Sequence, residues 1–360
     1  MTRLAVLGLG NLGRGVAAEL AWRGHEVSVW NRSREPLEEV EALGITIRGE
    51  EPRHTDVRVA PQLDDAVEGA EVVVVTTPAY GHANVLDRLA PVVADHHLLV
   101  LMPGNLGSFG ARRRFDAAGR RPCIVELAVP PLAARQAGPG GVVVPLATRR
   151  MPAAVAPGGS PGRDPMGVVR ALWPSADPVT DVLDAFLLNP TYVIHPTLTV
   201  ASAGAVEHLR TRGGFDVQAQ GTTPSTRRVL EGVDEERIRV REAFGYPGPH
   251  HRLATSYFAD GEPGLFGPAV EGAKAELARW KTAVGLEHRY LLEDVAHGLS
   301  GLRRLGRCAG VPTPVADAVS TVAGALLGRD LDRDVDGLPS GSRRELLDAV
   351  RPQAVADSPR

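Results

Sequence analysis

The sequence predicts an α/β N-terminal domain on a doubly wound, mostly parallel sheet, followed by an all-α C-terminal domain. Three observations carry this. Short continuous apolar runs recur through the first half, as at 4–7 and 71–76 (EVVVVT), and suit strands buried on both faces. Glycine-rich turns follow two of those runs, at 8–13 and 103–108. Beyond about residue 180 the strand-like runs vanish and helical spacing dominates.

Residues 3–33 organise the chain as a βαβ unit. Leu4–Leu7 is the first strand, 11–22 a helix with Leu12, Val16 and Leu20 on one side, and 25–30 the second strand. Between strand and helix stand Gly8, Gly10 and Gly13, the G-x-G-x-x-G of a Rossmann dinucleotide site. Gly8 permits the tight turn, Gly10 lets a pyrophosphate reach the backbone, and Gly13 lets helix and strand pack closely. Asn11 and Leu12, in the helix's first turn, offer free N–H groups to the phosphates. An NAD site usually has Asp or Glu at the end of the second strand; this chain has Asn31, Arg32 and Ser33. A guanidinium beside a hydroxyl and an amide suits a 2′-phosphate, so NADP(H) is favoured over NAD(H).

Composition narrows the rest. A length of 360 residues suits two domains. A net charge of −3 implies no bulk pull toward nucleic acid or membrane, and 4% aromatics leave few stacking platforms for single strands. Cys123 and Cys308 are the only cysteines, which excludes a disulfide framework and a cysteine zinc site. No stretch reaches ~18 apolar residues, and 4–12 is too short and too glycine-interrupted for a signal peptide, so a cytoplasmic location is expected.

Further along, 44–48 and 57–60 read as short strands with a turn-rich link, and 62–68 as a short helix. The strand at 71–76 closes at Thr77 and Pro78, and a helix runs on to about residue 93. That loop lies at the carboxyl edge of the sheet, where ligands bind, as does Asn105 after the strand at 98–101. Strands follow at 124–127, 142–146 and 151–155, then a short helix at 167–172. The arginines at 112–114 and 120–121 read as a solvated helix face. The expected division is a dinucleotide-binding domain at 1–182, a helical domain at 183–335 and a weakly patterned tail at 336–360. Helices are expected at 197–210, 224–244, 268–284, 288–309 and 313–327. No metal site is expected. Asp332, Asp334 and Asp336 mimic an EF-hand loop, but its twelfth position is Arg343. The pairs His96–His97 and His250–His251 lack a third ligand and read as surface residues.

Two helical-domain segments could carry chemistry. In 189–196 (NPTYVIHP) the residues before proline are pushed out of the α region, which would place His195 just before a helix opening at Pro196. A histidine there would need a carboxylate to offset the helix dipole. In 289–299 (RYLLEDVAHGL), Asp294, Gly298 and Gly301 would share a face with room for a ligand, and Leu291, Val295, Leu302 and Leu305 would face the core. The plainer reading pairs Arg289 with Glu293 at i+4 and leaves Asp294 solvated.

These motifs resemble the opine dehydrogenase family of the octopine/nopaline dehydrogenase type, from the GLGNLG turn to about Leu331. The resemblance rests on PGNLG at 103–107, Glu126 followed by Arg135, NPxxxxHP, LEGVDEER at 230–237, RYLLEDV and AGVPTP at 309–314. It implies that His195 is the catalytic histidine, that Asp294 orients it, and that Arg289 holds a substrate carboxylate. It also implies an oxidoreductase acting on CH–NH bonds, which joins an amine to a 2-oxo acid and reduces the imine with NAD(P)H. Two alternatives stand beside it: an NADPH-dependent carbonyl reductase of the ketopantoate reductase type, and a non-catalytic NADP(H)-sensing protein. The partners expected are small molecules. The oligomeric state is open, a homodimer included.

Overall fold

The computed structural model describes residues 1–49, 51–159, 164–256 and 285–351. Its strands are β1 (Arg3–Leu7), β2 (Glu26–Trp30), β3 (Ile45–Arg48), β4 (Arg53–Thr55), β5 (Arg58–Val59), β6 (Val72–Val75), β7 (Leu98–Leu101), β8 (Cys123–Leu127), β9 (Leu132–Gln136), β10 (Gly141–Ala147), β11 (Met151–Ala156) and β12 (Ala176–Pro178). The main sheet runs β12-β11-β8-β7-β6-β1-β2-β5 and is parallel except at the β8–β11 pair. Strand order reverses at β1 and β6, which puts a crevice at their carboxyl ends. β6 is wholly buried, as its unbroken valines require between two helical layers.

The helices of this half are α1 (Asn11–Trp22), α2 (Glu35–Leu43), α3 (Leu63–Val67), α4 (Ala79–Leu89), α5 (Gly107–Ala117) and α6 (Pro165–Leu172). The strands expected at 44–48 and 142–146 form, but in a separate four-stranded sheet, β4-β3-β10-β9. The small residues of α1 allow this. A Cβ at Gly15 would stand 2.8 Å from Ala134 Cβ and 2.9 Å from Leu132 Cδ1, so β9 lies directly against the helix. β4, β9, β12 and α2 are additions that apolar spacing did not reveal.

The second half is helical: α7 (Val182–Leu187), α8 (Thr191–Ala201), α9 (Ala203–Leu209), α10 (Pro224–Ala243), α11 (Leu253–Ser256), α12 (Arg289–Leu292), a π-helical turn at Asp294–Leu299, α13 (Ser300–Ala309), α14 (Pro314–Leu327) and α15 (Arg343–Val350). The helix expected at 268–284 lies outside the described residues. One apolar cluster runs from the α4–α5 face of the sheet (Leu86, Phe115) into the helical half (Phe186, Tyr192, Leu291, Leu302), so the halves share a core.

The tail is more ordered than its pattern suggested. Ser342 caps α15 in a reciprocal box with Glu345, Leu346 and Val350 are buried, and Arg351 Nε meets Asp181 Oδ2 at 2.6 Å. Arg113 and Arg114 pair with Asp336, so the arginine cluster holds the tail as well as facing solvent. His97 is likewise no surface residue: it is buried, with Nδ1 accepting from the Ala94 amide at 2.8 Å. Among the described residues no helix is long and apolar enough to cross a membrane.

Candidate active site

The glycine turn is built as its spacing implies. Gly8 has φ +115°, which L side chains rarely adopt, and Thr76 Oγ1 donates to its carbonyl at 2.9 Å. Gly10 is the N-cap of α1, with no side-chain cap and open space where a Cβ would stand. A Cβ at Gly13 would lie 1.8 Å from Gly8 O. The helix therefore presents uncapped N–H groups to an open face.

Two residues expected to touch the dinucleotide also shape the turn through their side chains. Asn31 Oδ1 accepts from the Leu9 amide at 3.0 Å and its Nδ2 donates to Ser33 O, while Asn11 Oδ1 accepts from the Gln136 amide at 2.8 Å. Leu12 packs partly into the core beside α1. Arg32 and Ser33 are exposed at the end of β2. Thr77 and Pro78 join β6 to α4, and Thr77 Oγ1 is buried with no hydrogen-bond partner among the described residues. The open face at Gly10 and this orphaned hydroxyl fit a dinucleotide laid across the strand ends. His82, held neutral with its pKa down at about 4 by burial, donates from Nε2 to Thr77 O at 3.2 Å and steadies that loop. Asn105, at φ 48°, accepts from Asn189 Nδ2 at 3.1 Å, which ties the PGNLG loop to the NPxxxxHP segment.

The structure brings His195, Asp294 and Arg289 into one neighbourhood, though not by the local geometry expected. α8 starts at Thr191 and runs through Pro196, so His195 sits inside a helix rather than at its N-terminus. Packing overrides proline's cost. Tyr192, Val193, Ile194 and Leu198 are all buried. His195 Nδ1 meets Asp294 Oδ2 at 2.8 Å. Asp294 is buried, not solvated. The carboxylate fixes the Nδ1–H tautomer and leaves Nε2 free for a substrate. The π-helical turn widens the backbone where Asp294 meets His195, a feature frequent at functional sites.

The glycine face was misread. A Cβ at Gly298 would lie 2.1 Å from Tyr192 Cβ, and one at Gly301 would lie 2.7 Å from Phe186 Cζ. These glycines let helices close up and leave no room for a ligand. The expected core positions Leu291, Val295, Leu302 and Leu305 are all fully buried.

Three further neighbours stand around the pair, two of which the sequence did not single out. The Tyr290 ring stacks on His195 with centroids 3.9 Å apart, and the His288 ring meets its edge at 4.4 Å. Tyr290 and Asp294 are i and i+4 on one segment, so two residues flanking one histidine was a signal available in RYLLED. His288 is pushed down to about 4 by burial first and then by its neighbours His195, Arg289 and Arg135, so it stays neutral and accepts from the Tyr290 amide. The Arg135 charge bears on Tyr290 too. The third is Glu293, fully buried, whose Oε2 lies 2.7 Å from Arg289 Nη2. The i+4 pairing thus forms, and the Arg289 side chain is partly buried with it.

Comparison with known proteins shows the family and the fold. Residues 178–327 match the family described as NAD/NADP octopine/nopaline dehydrogenase, alpha-helical domain, and residues 4–144 match ketopantoate reductase PanE/ApbA. An opine dehydrogenase of Arthrobacter sp. (strain 1C) is 30% identical over 92% of each chain, and Protein ocs of Agrobacterium vitis is 26% identical over 94% of this chain and 95% of its own. An octopine dehydrogenase solved with NADH and L-arginine has the same fold, with a TM-score of 0.71 at 20% identity over 99% of this chain and 100% of its own. The chain belongs to the opine dehydrogenase family: it is an oxidoreductase with a Rossmann domain for a nicotinamide dinucleotide and a helical domain bearing His195, Asp294 and Arg289.

Proposed function

We propose that the chain is an NADP(H)-dependent enzyme acting on CH–NH bonds, which condenses an amino acid or another amine with a 2-oxo acid and reduces the imine. The observation that carries this is the His195–Asp294 pair beside the half-exposed Arg289, against the loop at the carboxyl end of β6. Gly8, Gly10 and Gly13 with the amides of Asn11 and Leu12 would hold the pyrophosphate, and Thr77, Pro78 and Asn105 would line its path. The dinucleotide supplies a hydride when bound. Arg289 takes the oxo-acid carboxylate, where a planar guanidinium gives a directed contact. His195 Nε2 takes a proton from the ammonium form of the amine, whose nitrogen then attacks the carbonyl carbon and passes a second proton to its oxygen, giving the carbinolamine. His195 Nε2 returns a proton to the carbinolamine hydroxyl, which leaves as water. Arg289 and the neighbouring loops then hold the imine carbon for reduction.

The test is oxidation of NADPH, followed by the reduced nicotinamide's absorbance, with 2-oxo acids alone and with amino acids and diamines. Oxidation that requires both partners supports the proposal. Oxidation with the oxo acid alone supports plain carbonyl reduction, the second reading, which the ketopantoate reductase match over 4–144 favours.

The NADP(H) preference rests on Arg32 and Ser33 standing exposed where an NAD site would present a carboxylate. Arg32→Ala is expected to raise the KM for NADPH about tenfold, the scale of one charge-assisted hydrogen bond, and to change that for NADH less than threefold. Equal effects on both dinucleotides would remove Arg32 from the 2′-phosphate site.

A further inference from the structure

Glu293 is the buried charge that the chemistry above leaves without a task. It lies beside Asp294, yet the two carboxylates serve different partners. Asp294 takes His195, while Glu293 Oε1 accepts from the Ala79 amide at 2.8 Å across 214 positions of sequence. Ala79 is the first residue of α4, directly after Thr77 and Pro78, and Pro78 gives α4 no side-chain cap. The cap of a Rossmann helix therefore comes from the helical domain, and the positive end of α4 favours the carboxylate there. The other oxygen, Oε2, meets Arg289 Nη2 at 2.7 Å. Arg289 Nε is buried and has no hydrogen-bond partner among the described residues, so Glu293 engages one side of the guanidinium and leaves a donor over.

Burying a carboxylate is costly, and a buried ion pair contributes little net stability. What this pair does supply is position. One carboxylate spans the loop expected to carry the dinucleotide and the arginine expected to carry the oxo acid. We propose that Glu293 is a positioning residue that fixes Arg289 relative to the Thr77–Ala79 loop, so that substrate carboxylate and nicotinamide are located against the same group. This rests on the functional reading above for the arginine's ligand. The tie to the dinucleotide loop can be tested without it.

The experiment compares Glu293→Gln and Glu293→Ala with the parent enzyme by dinucleotide affinity, from quenching of intrinsic fluorescence by NADPH, and by steady-state kinetics. The glutamine keeps an oxygen for the Ala79 amide and loses the charge facing Arg289. It is expected to bind NADPH within about twofold of the parent and to raise the oxo-acid KM about tenfold or more, the scale of one charge-assisted contact. The alanine loses both partners and is expected to weaken NADPH binding by about fivefold or more, the scale of one lost helix cap. Parent-like NADPH affinity in the alanine variant overturns the tie to the loop, whatever the substrate proves to be. A parent-like oxo-acid KM in the glutamine variant overturns the tie to Arg289. A fall in melting temperature with both constants unchanged would make Glu293 merely structural and also overturns the proposal. Should the alanine variant fail to fold, the near-isosteric glutamine still decides the tie to Arg289, and Glu293→Met, which fills the same space without an oxygen, replaces the alanine as the test of the loop. Failure of the functional reading would appear separately, as a parent enzyme that couples no amine to any oxo acid.

Discussion

Replacing His195 by alanine is expected to lower kcat by ~10²–10⁴-fold, the usual contribution of a positioned acid–base group, with NADPH affinity within about twofold of the parent. The separation follows from placement. His195 is tied to Asp294 and stacked on Tyr290, and it makes no hydrogen bond with the glycine turn or the Thr77 loop. Removing the ring opens a small space against Tyr290 and leaves Asp294 buried without its Nδ1–H, so some stability is lost as well. For that reason the check is single-turnover reduction at saturating substrate, on protein shown by circular dichroism to be folded. Asp294→Asn supplies the control. An amide can present an N–H where the carboxylate accepted one, which favours the wrong imidazole tautomer while nearly preserving shape. It should lower kcat by at least about tenfold with little change in substrate KM. Near-parent turnover in His195→Ala would move the proton chemistry to another group and remove the proposed mechanism.

How much of this site was legible follows from the kind of signal each part leaves. The local structure of the glycine turn was legible, because three glycines at fixed spacing between a strand and a helix are a local pattern with a local cause. The core face of 291–305 was read for the same reason. The setting of His195 was not. Proline's local rule predicts a helix starting at Pro196, but tertiary packing carries α8 through it. The face of Gly298 and Gly301 looked vacant because their partners, Tyr192 and Phe186, come from about a hundred residues away. Glu293 was read only as half of an i+4 pair, since its second partner, Ala79, is in the other domain. The second sheet escaped as a unit because the pairing that joins its two hairpins, β3 with β10, spans about 95 residues, as Thr46 does with Gly141. The side chains of Asn31 and Asn11 also hold backbone partners that spacing does not show. Their amides complete the turn and the β9 contact, needs that become visible only once those segments are placed.

Gly13→Ala and Gly10→Ala should separate the two uses of the glycine turn. At Gly13 the added methyl would stand 1.8 Å from Gly8 O and 2.7 Å from Thr76 Oγ1. The nearest of these is backbone, which cannot rotate away, so α1 must move off β1. Overpacking of this kind costs ~1–3 kcal/mol or more, enough to lower the melting temperature by several degrees in a chain of this size. The displaced helix end would also carry its N–H groups away from the phosphates, so NADPH binding should be lost along with stability. At Gly10 the backbone is ordinary, φ −70° and ψ −170°, and nothing lies within 4 Å of the new methyl. Stability should change by no more than about 1 kcal/mol, the poorer N-cap being offset by a less flexible unfolded chain. The methyl then occupies only the space through which a pyrophosphate would approach, so the expected result is a parent-like melting temperature without ligand and a dinucleotide affinity down by about tenfold or more, a loss of roughly 1.4 kcal/mol. Thermal unfolding with and without NADPH reads both variants in one format. The ligand-induced rise in melting temperature should be clearly smaller in Gly10→Ala although its unliganded curve is unchanged, because stabilisation by a ligand scales with its concentration over its dissociation constant. A full rise in Gly10→Ala would mean that the pyrophosphate does not cross the N-terminus of α1, and the placement of the dinucleotide at this turn would fail with it.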